Sequence, residues 1–140
     1  MTPTRIALIH ATPLAIDPIK EAIGRHWPEV QCQHLLDDSL SQDRVREGSL
    51  TPAMVQRFVT LARYCQGAGA HGILFTCSAF GPAIDEVRKQ LKIPVLKPNE
   101  AMYEQLVAQD GAVSLLATFP PSIPSMVTEI KDAAKAAGTK

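Results

Sequence analysis

The residues best suited to chemistry are three consecutive polar side chains, Thr76, Cys77 and Ser78. They follow a short apolar run of strand-forming residues, and a helical pattern begins after Gly81-Pro82. This order places a thiol and two hydroxyls at the carboxyl end of a strand, where open α/β sheets bind ligands. Backbone N–H groups and the dipole of the following helix favour a bound carboxylate and a lowered pKa of the Cys77 thiol. We therefore predict a reactive cysteine beside an anion site, with a plain packing role for Cys77 as the alternative.

Alternating apolar runs and helical patterns along the chain predict an α/β fold with a parallel sheet of the Rossmann or flavodoxin type. Predicted strands cover residues 5–10, 30–36, the run before Thr76, 92–98 and 112–118. Predicted helices cover residues 16–27, 51–67, a segment after Pro82, 99–109 and 125–137. Residues 41–50 are charged and weakly periodic, which predicts a surface segment with at most a short helix. The strand at 30–36 is less apolar than the others, so we expect it nearer the sheet edge.

Polar side chains follow four of the predicted strands, at the point where each strand ends. Because the carboxyl ends of parallel strands meet at one edge of a sheet, we expect these side chains to gather around one site. Taken one by one, serines and threonines at strand ends also commonly cap helices. The residues are His10 with Thr12, Asp38, the Thr76 to Ser78 trio, and Thr118 with Ser122.

Composition limits the classes of function. The 140 residues are 46% hydrophobic and 20% charged, which is typical of a folded globular domain. Fourteen basic residues balance fourteen acidic ones, so no basic field indicates nucleic acid. No apolar run approaches the roughly 18 residues of a membrane span. Three cysteines without paired spacing and an amino terminus without a signal-peptide cleavage site predict a cytoplasmic protein.

Metal and nucleotide sites have little support in the sequence. Cys32 and His34 form the only close pair among the histidines and cysteines and supply two ligands at most, so we do not expect a structural metal. The glycine-rich motifs of dinucleotide and P-loop sites are missing from the sequence. Cys65 shares the apolar face of the helix at 51–67, and Cys32 alternates with apolar neighbours, so both are predicted to be buried.

Three stretches of the chain resemble the aspartate/glutamate/hydantoin racemase superfamily, in particular members close to hydantoin racemases and arylmalonate decarboxylases. They are residues 73–81 around Cys77, residues 93–102, and residues 115–119 followed by Ser122. The resemblance implies two similar α/β lobes with the active site between them. Residues 1–98 would form the first lobe, and residues 99–140 would begin a second lobe that is incomplete.

The resemblance also implies an activity and roles for particular residues. Racemases of this type use no cofactor, and one cysteine from each lobe exchanges a proton with the substrate's α-carbon. Cys77 would be the first-lobe acid/base, and Thr76, Ser78 and nearby backbone amides such as that of Ala79 would hold a carboxylate or the enolate formed from it. The second lobe's strand-end turn would be represented by Thr118 and Ser122. The substrate would be an amino acid, a hydantoin or a related small carboxylate-bearing molecule.

One departure from the family pattern leaves alternatives open. The family's second cysteine would lie beyond Lys140, and neither Cys32 nor Cys65 matches it. An incomplete second lobe would expose apolar faces and a sheet edge, so we expect a truncated chain or completion by association into a homo-oligomer. One alternative to a racemase is an arylmalonate decarboxylase-like or maleate isomerase-like enzyme, although such decarboxylases commonly keep their cysteine in the second lobe. Another alternative is a non-catalytic anion-binding or interaction module.

Overall fold

The fold is built on a sheet of four parallel strands. The computed structural model describes residues 3–109 and 111–138. The strands lie in the order β2-β1-β3-β4, and every neighbouring pair is parallel. Their bounds are β1 Arg5–His10, β2 Gln31–Leu36, β3 Gly72–Phe75 and β4 Val95–Leu96. The predicted α/β class is therefore confirmed, and β2 lies at the edge as its weaker apolar character indicated.

Within residues 3–109 and 111–138, six α-helices and three short 3-10 turns connect and flank the strands. None of the helices within the described residues is both long and apolar enough to cross a membrane. The helices are α1 Ile16–His26, α2 Ser39–Glu47, α3 Pro52–Gly67, α4 Gly81–Gln90, α5 Glu100–Val107 and α6 Ile123–Ala137. The 3-10 turns are Pro13–Ala15, Ser78–Phe80 and Pro120–Ser122.

The start of α3 shows why a helix forms where the sequence predicts one. The Thr51 hydroxyl accepts a hydrogen bond from the backbone N–H of Met54 at 3.3 Å. Pro52 occupies the first helical position, where its fixed φ suits the helix and its missing N–H costs nothing. One face of α3, including Phe58 and Cys65, is buried in the main core, which confirms the predicted burial of Cys65.

The two faces of the sheet are covered unequally. Alternate strand residues such as Ile9, Ile73 and Phe75 belong to the main core with α3 and α4. The opposite face carries Leu74 and Thr76, which line an apolar pocket together with residues of α1. Because α3 and α4 bury much more apolar surface than α1, the sheet is held chiefly from one side.

Two sequence predictions about strands are wrong. Within the described residues, the stretch 111–118 forms no strand, and Val113 and Leu116 are 45% and 91% exposed. A strand needs a neighbour to satisfy its backbone groups, and an apolar sequence alone does not supply one. The fourth strand covers only Val95–Leu96 rather than residues 92–98, because Pro94 and Pro98 have no N–H to donate to a ladder.

The segments after residue 99 pack as helices on the first part of the chain. α5 and α6 contact each other, and α6 also contacts α4 and the Ser78–Phe80 turn. The Pro120–Ser122 turn lies against the Ser78–Phe80 turn as well. Two segments that are distant in sequence therefore meet directly beyond the carboxyl end of β3.

Candidate active site

Cys77 lies on the turn between β3 and α4, as the sequence predicts. Its backbone is extended, with φ −119° and ψ 126°, and the Ser78–Phe80 turn follows and leads into α4. The preceding residue continues the sheet by one bond, since the Thr76 N–H donates to the Ile9 carbonyl at 3.1 Å. The strand therefore fixes Thr76, and the thiol follows at the first position beyond the sheet.

The Cys77 side chain is half-buried rather than sealed or fully open. It packs against the main core and borders a small apolar pocket with His10, Leu40 and Phe75. The backbone N–H of Ala79, at the start of the following turn, acts to lower the pKa of the thiol. Part of the Cys77 residue is therefore accessible, and a backbone donor lies near its sulfur.

The protonation state of Cys77 differs from the expectation. Burial raises the pKa of the Cys77 thiol, and the hydrogen bond from Ala79 lowers it by less. The prediction that a helix N-terminus gives this thiol a lowered pKa is therefore wrong. The physical reason is that the apolar wall of the pocket removes water from the sulfur, and this disfavours the thiolate more than one N–H group favours it. At neutral pH the resting group is the thiol.

His10 lies behind the candidate site and is fully buried. Its Nδ1 is 2.8 Å from the Thr76 hydroxyl oxygen, and its Nε2 is 3.0 Å from Nδ1 of His34 on the neighbouring strand. Burial, with a smaller contribution from His34, lowers the pKa of His10 to about 4, so its ring is neutral at pH 7. The sequence proposed His10 as a substrate-binding residue, but with both ring nitrogens occupied it reaches a ligand only through Thr76.

The residues predicted at the ends of the first two strands take different roles. Thr12 is half-buried, and its hydroxyl accepts from the Leu14 N–H at 3.4 Å, so it caps the Pro13–Ala15 turn. Asp38 is exposed, whereas its neighbour Asp37 is bound by Arg57 at 2.6 Å. Asp38 therefore faces solvent immediately before α2.

Arg57 organises the surroundings of that second strand end. Its guanidinium donates to Asp37, to the Ser39 hydroxyl and to Asp43, each at 2.6 Å. The hydrogen bonds from Ser39 and Arg57 outweigh burial and hold the pKa of Asp37 below its usual value. This cluster ties the end of β2 to α2 and α3.

Among the remaining predicted residues, Ser78 and Ala79 directly follow the thiol, Ser122 is buried and Thr118 is exposed. Ser78 is half-buried and Ala79 is buried on the turn itself. Ser122 is 3% exposed, and its hydroxyl donates to the Phe119 carbonyl at 2.7 Å, so it stabilises the Pro120–Ser122 turn. Thr118 is exposed on the irregular segment before that turn.

A cleft that the sequence did not reveal lies between α4 and α6. It has a volume of about 240 Å³, and its lining includes Ala79, Gly81, Lys97 and Glu129. The side chains of Lys97 and Glu129 are each only 10% exposed, with the ammonium nitrogen 3.8 Å from a Glu129 oxygen and 2.8 Å from Asp85. Burial raises the pKa of the Glu129 carboxyl group. No local pattern marked these residues, because the contact joins segments far apart in sequence.

Metal ligation finds no support in the described residues. Within residues 3–109 and 111–138, no three or more His, Cys, Asp or Glu side chains are grouped so that they could hold a metal ion. Cys32 is half-buried on β2, so its predicted burial is only partial.

These features define an α/β protein with a half-exposed thiol and backbone donors at the carboxyl end of a parallel strand. The model of the Asp/Glu/Hydantoin racemase family matches residues 10–138. The chain therefore belongs to the Asp/Glu/hydantoin racemase family, as the resemblance implied. Comparison with curated proteins returns no match.

Proposed function

We propose that the chain is a racemase-type isomerase that works without a cofactor and uses the Cys77 thiol to move the α-proton of a small acid. The substrate would be an amino acid, a hydantoin or a related carboxylate-bearing molecule. The observation that carries this proposal is the partly buried Cys77 at the strand end, next to the backbone N–H of Ala79, in a chain of the racemase family.

The chemistry divides between the thiol and its neighbours. In one direction the Cys77 thiolate takes the proton from the α-carbon, and the electron pair of the C–H bond moves into the adjacent carbonyl to give an enolate. In this proposal the Ser78 hydroxyl and backbone N–H groups of the Ser78–Phe80 turn donate to the enolate oxygen as its charge develops, while Thr76 contributes from the opposite face of the strand end. In the other direction the neutral thiol returns a proton to the carbanion, and inversion of the α-carbon also needs a second acid/base on the opposite face of the substrate. The raised pKa of Cys77 keeps the resting thiol protonated and makes its thiolate the stronger base.

The test is exchange of the α-proton in deuterated water, followed by NMR on candidate amino acids and hydantoins. Cys77→Ser should abolish the exchange, because the substitution removes the ionisable sulfur with little change in volume. Cys32→Ser is the matched control, since Cys32 is also half-buried but lies on the edge strand β2. Exchange that survives in Cys77→Ser excludes this mechanism. Ligand-induced stabilisation without any exchange would instead identify a non-catalytic binding module.

A second candidate is decarboxylation on the same site. Loss of carbon dioxide from a substituted malonate leaves a carbanion that needs only one proton, and the neutral Cys77 thiol can supply it. Release of carbon dioxide, with one deuteron incorporated in deuterated water and no exchange on amino acids, would select this reaction over racemisation. A maleate-type substrate that isomerises under the same conditions would select the cis-trans isomerase.

A further inference from the structure

Three side chains from three neighbouring strands form a continuous hydrogen-bonded chain. His34 on β2 contacts His10 on β1 at 3.0 Å, and His10 contacts the Thr76 hydroxyl at 2.8 Å just beyond β3. The two imidazole rings lie nearly parallel, 12° apart. His10 is completely buried, while His34 is exposed. These hydrogen bonds therefore link the surface of the edge strand to the residue that precedes Cys77.

Neutral histidine carries one ring proton, so this chain has two hydrogen-bond directions. In the first, His34 donates from Nδ1 to Nε2 of His10, and His10 donates from Nδ1 to Thr76. The Thr76 O–H is then free to donate elsewhere, with only a long contact of 3.4 Å to the Ile9 carbonyl competing for it. In the second, Thr76 donates to His10, and His10 donates to His34. Its hydroxyl then offers a ligand only an acceptor.

We propose that His10 and His34 control the direction of the Thr76 hydroxyl, so that proton uptake by His34 makes Thr76 a hydrogen-bond donor for an anionic oxygen bound at the carboxyl end of β3. A protonated imidazole has N–H groups on both nitrogens, so His34 is then unable to accept from His10 and the first direction is imposed. His10 is a positioning residue, and His34 is the group that responds to solvent. The identity of the anion, a carboxylate or enolate oxygen, rests on the proposed function.

The surroundings decide which histidine takes the proton. His10 is enclosed and its pKa is lowered to about 4 by burial and by His34. His34 faces His10 on β1 and Lys20 on α1, and burial followed by the Lys20 charge lowers its pKa from the usual value. Being exposed, His34 protonates before His10 as the pH falls. The donor state of Thr76 therefore fills as His34 takes up its proton, at a pH below the usual histidine range and above the pKa of His10.

Protonation of His34 and binding of the anion are thermodynamically linked, so the state of His34 affects the affinity for the anion. Because the anion favours the first direction and so favours protonated His34, anion binding must raise the pKa of His34 by the same free energy that protonation adds to binding. A hydrogen bond to a charged group supports a difference in affinity of roughly tenfold between the two directions.

The direct test observes the ring nitrogens of His10 in the full chain by ¹⁵N NMR over pH 5 to 8. As His34 titrates, Nδ1 of His10 should become fully protonated and Nε2 fully unprotonated. His34→Leu should remove this response, whereas His26→Leu should keep it, since His26 is exposed at the end of α1. If the His10 nitrogens keep one state across the titration of His34, or if His10 titrates first, the inference is overturned.

The second test measures binding of formate, which stays ionised over this range, from the amide shifts of Thr76 to Ala79. We expect roughly tenfold tighter binding at pH 5.5 than at pH 8 in the wild type and in Thr60→Val. The pH dependence should be lost in His34→Leu and in Thr76→Val. Equal binding at both pH values, or no binding at either, overturns the inference.

The two proposals fail in different ways. If α-proton exchange requires Cys77 but the protonation of the His10 ring nitrogens does not change as His34 titrates, this inference alone is overturned. A clear response of His10 in a chain without exchange activity overturns the proposed function alone.

Discussion

Replacement of Gly81 by alanine tests how α6 is seated on the start of α4. Gly81 is buried at the first position of α4, and a Cβ there would collide with a carboxylate oxygen of Glu129 and come within 3.5 Å of the Ser125 hydroxyl. The Glu129 side chain is nine-tenths buried beside Lys97, so moving its carboxylate aside into the cleft takes it away from the Lys97 ammonium group. Gly81→Ala should therefore disturb the contact between the two helices.

The magnitude follows from two opposing effects. Overpacking a buried contact costs roughly 1–3 kcal/mol, while alanine in a helix is favoured over glycine by about 0.5–1 kcal/mol. The φ of −46° at Gly81 is helical, so alanine meets no backbone strain there. We expect a net loss of roughly 0.5–2 kcal/mol in the free energy of unfolding.

A double-mutant cycle separates this contact from a general helix effect. Unfolding in urea is measured for the wild type, Gly81→Ala, Glu129→Ala and the double variant. In the Glu129→Ala background the collision is gone, so Gly81→Ala should be neutral or stabilising by up to about 1 kcal/mol. Equal destabilisation by Gly81→Ala in both backgrounds would refute the reasoning.

Two further predictions concern buried groups. Cys65→Ser should lower the free energy of unfolding by roughly 1–3 kcal/mol, because a hydroxyl without a partner replaces a thiol at a fully buried position. Unfolding in urea measures this loss, with Cys32→Ser as the control. A loss no larger than that of the control would argue against tight packing around Cys65. His10 should make stability fall as the pH drops from about 6.5 to about 4, because the folded state, where the pKa is about 4, resists the proton that the unfolded chain accepts. The contribution of His10 is about 3 kcal/mol at most, so urea titrations at pH 7, 5 and 4 should show a smaller loss in His10→Gln, where other groups such as His34 still titrate.

The sequence located the elements and the reactive turn where local chemistry decides them. The Thr51 cap and Pro52 mark the start of α3, and the apolar run before Thr76 becomes β3. Such signals depend only on residues nearby in the sequence, so they can be recognised without knowledge of the tertiary contacts. The position of Cys77 at the end of a strand was predictable for the same reason.

Features that depend on register and burial were not predictable. His34 meets His10 only because β1 and β2 pair in parallel with Leu8 beside His34, and nothing local fixes that register. The raised pKa of Cys77 comes from the apolar wall that Leu40 and other distant residues supply. The stretch 112–118 has the composition of a strand, yet strand formation also requires a partner, which the sequence of the stretch does not encode.

The irregular stretch 112–118 has a consequence for how the chain behaves in concentrated solution. It leaves Val113 and Leu116 facing water, and among the described residues its backbone joins no sheet. Chains with a formal net charge of zero repel one another weakly near neutral pH. The segment therefore favours intermolecular strand pairing and precipitation as the protein is concentrated.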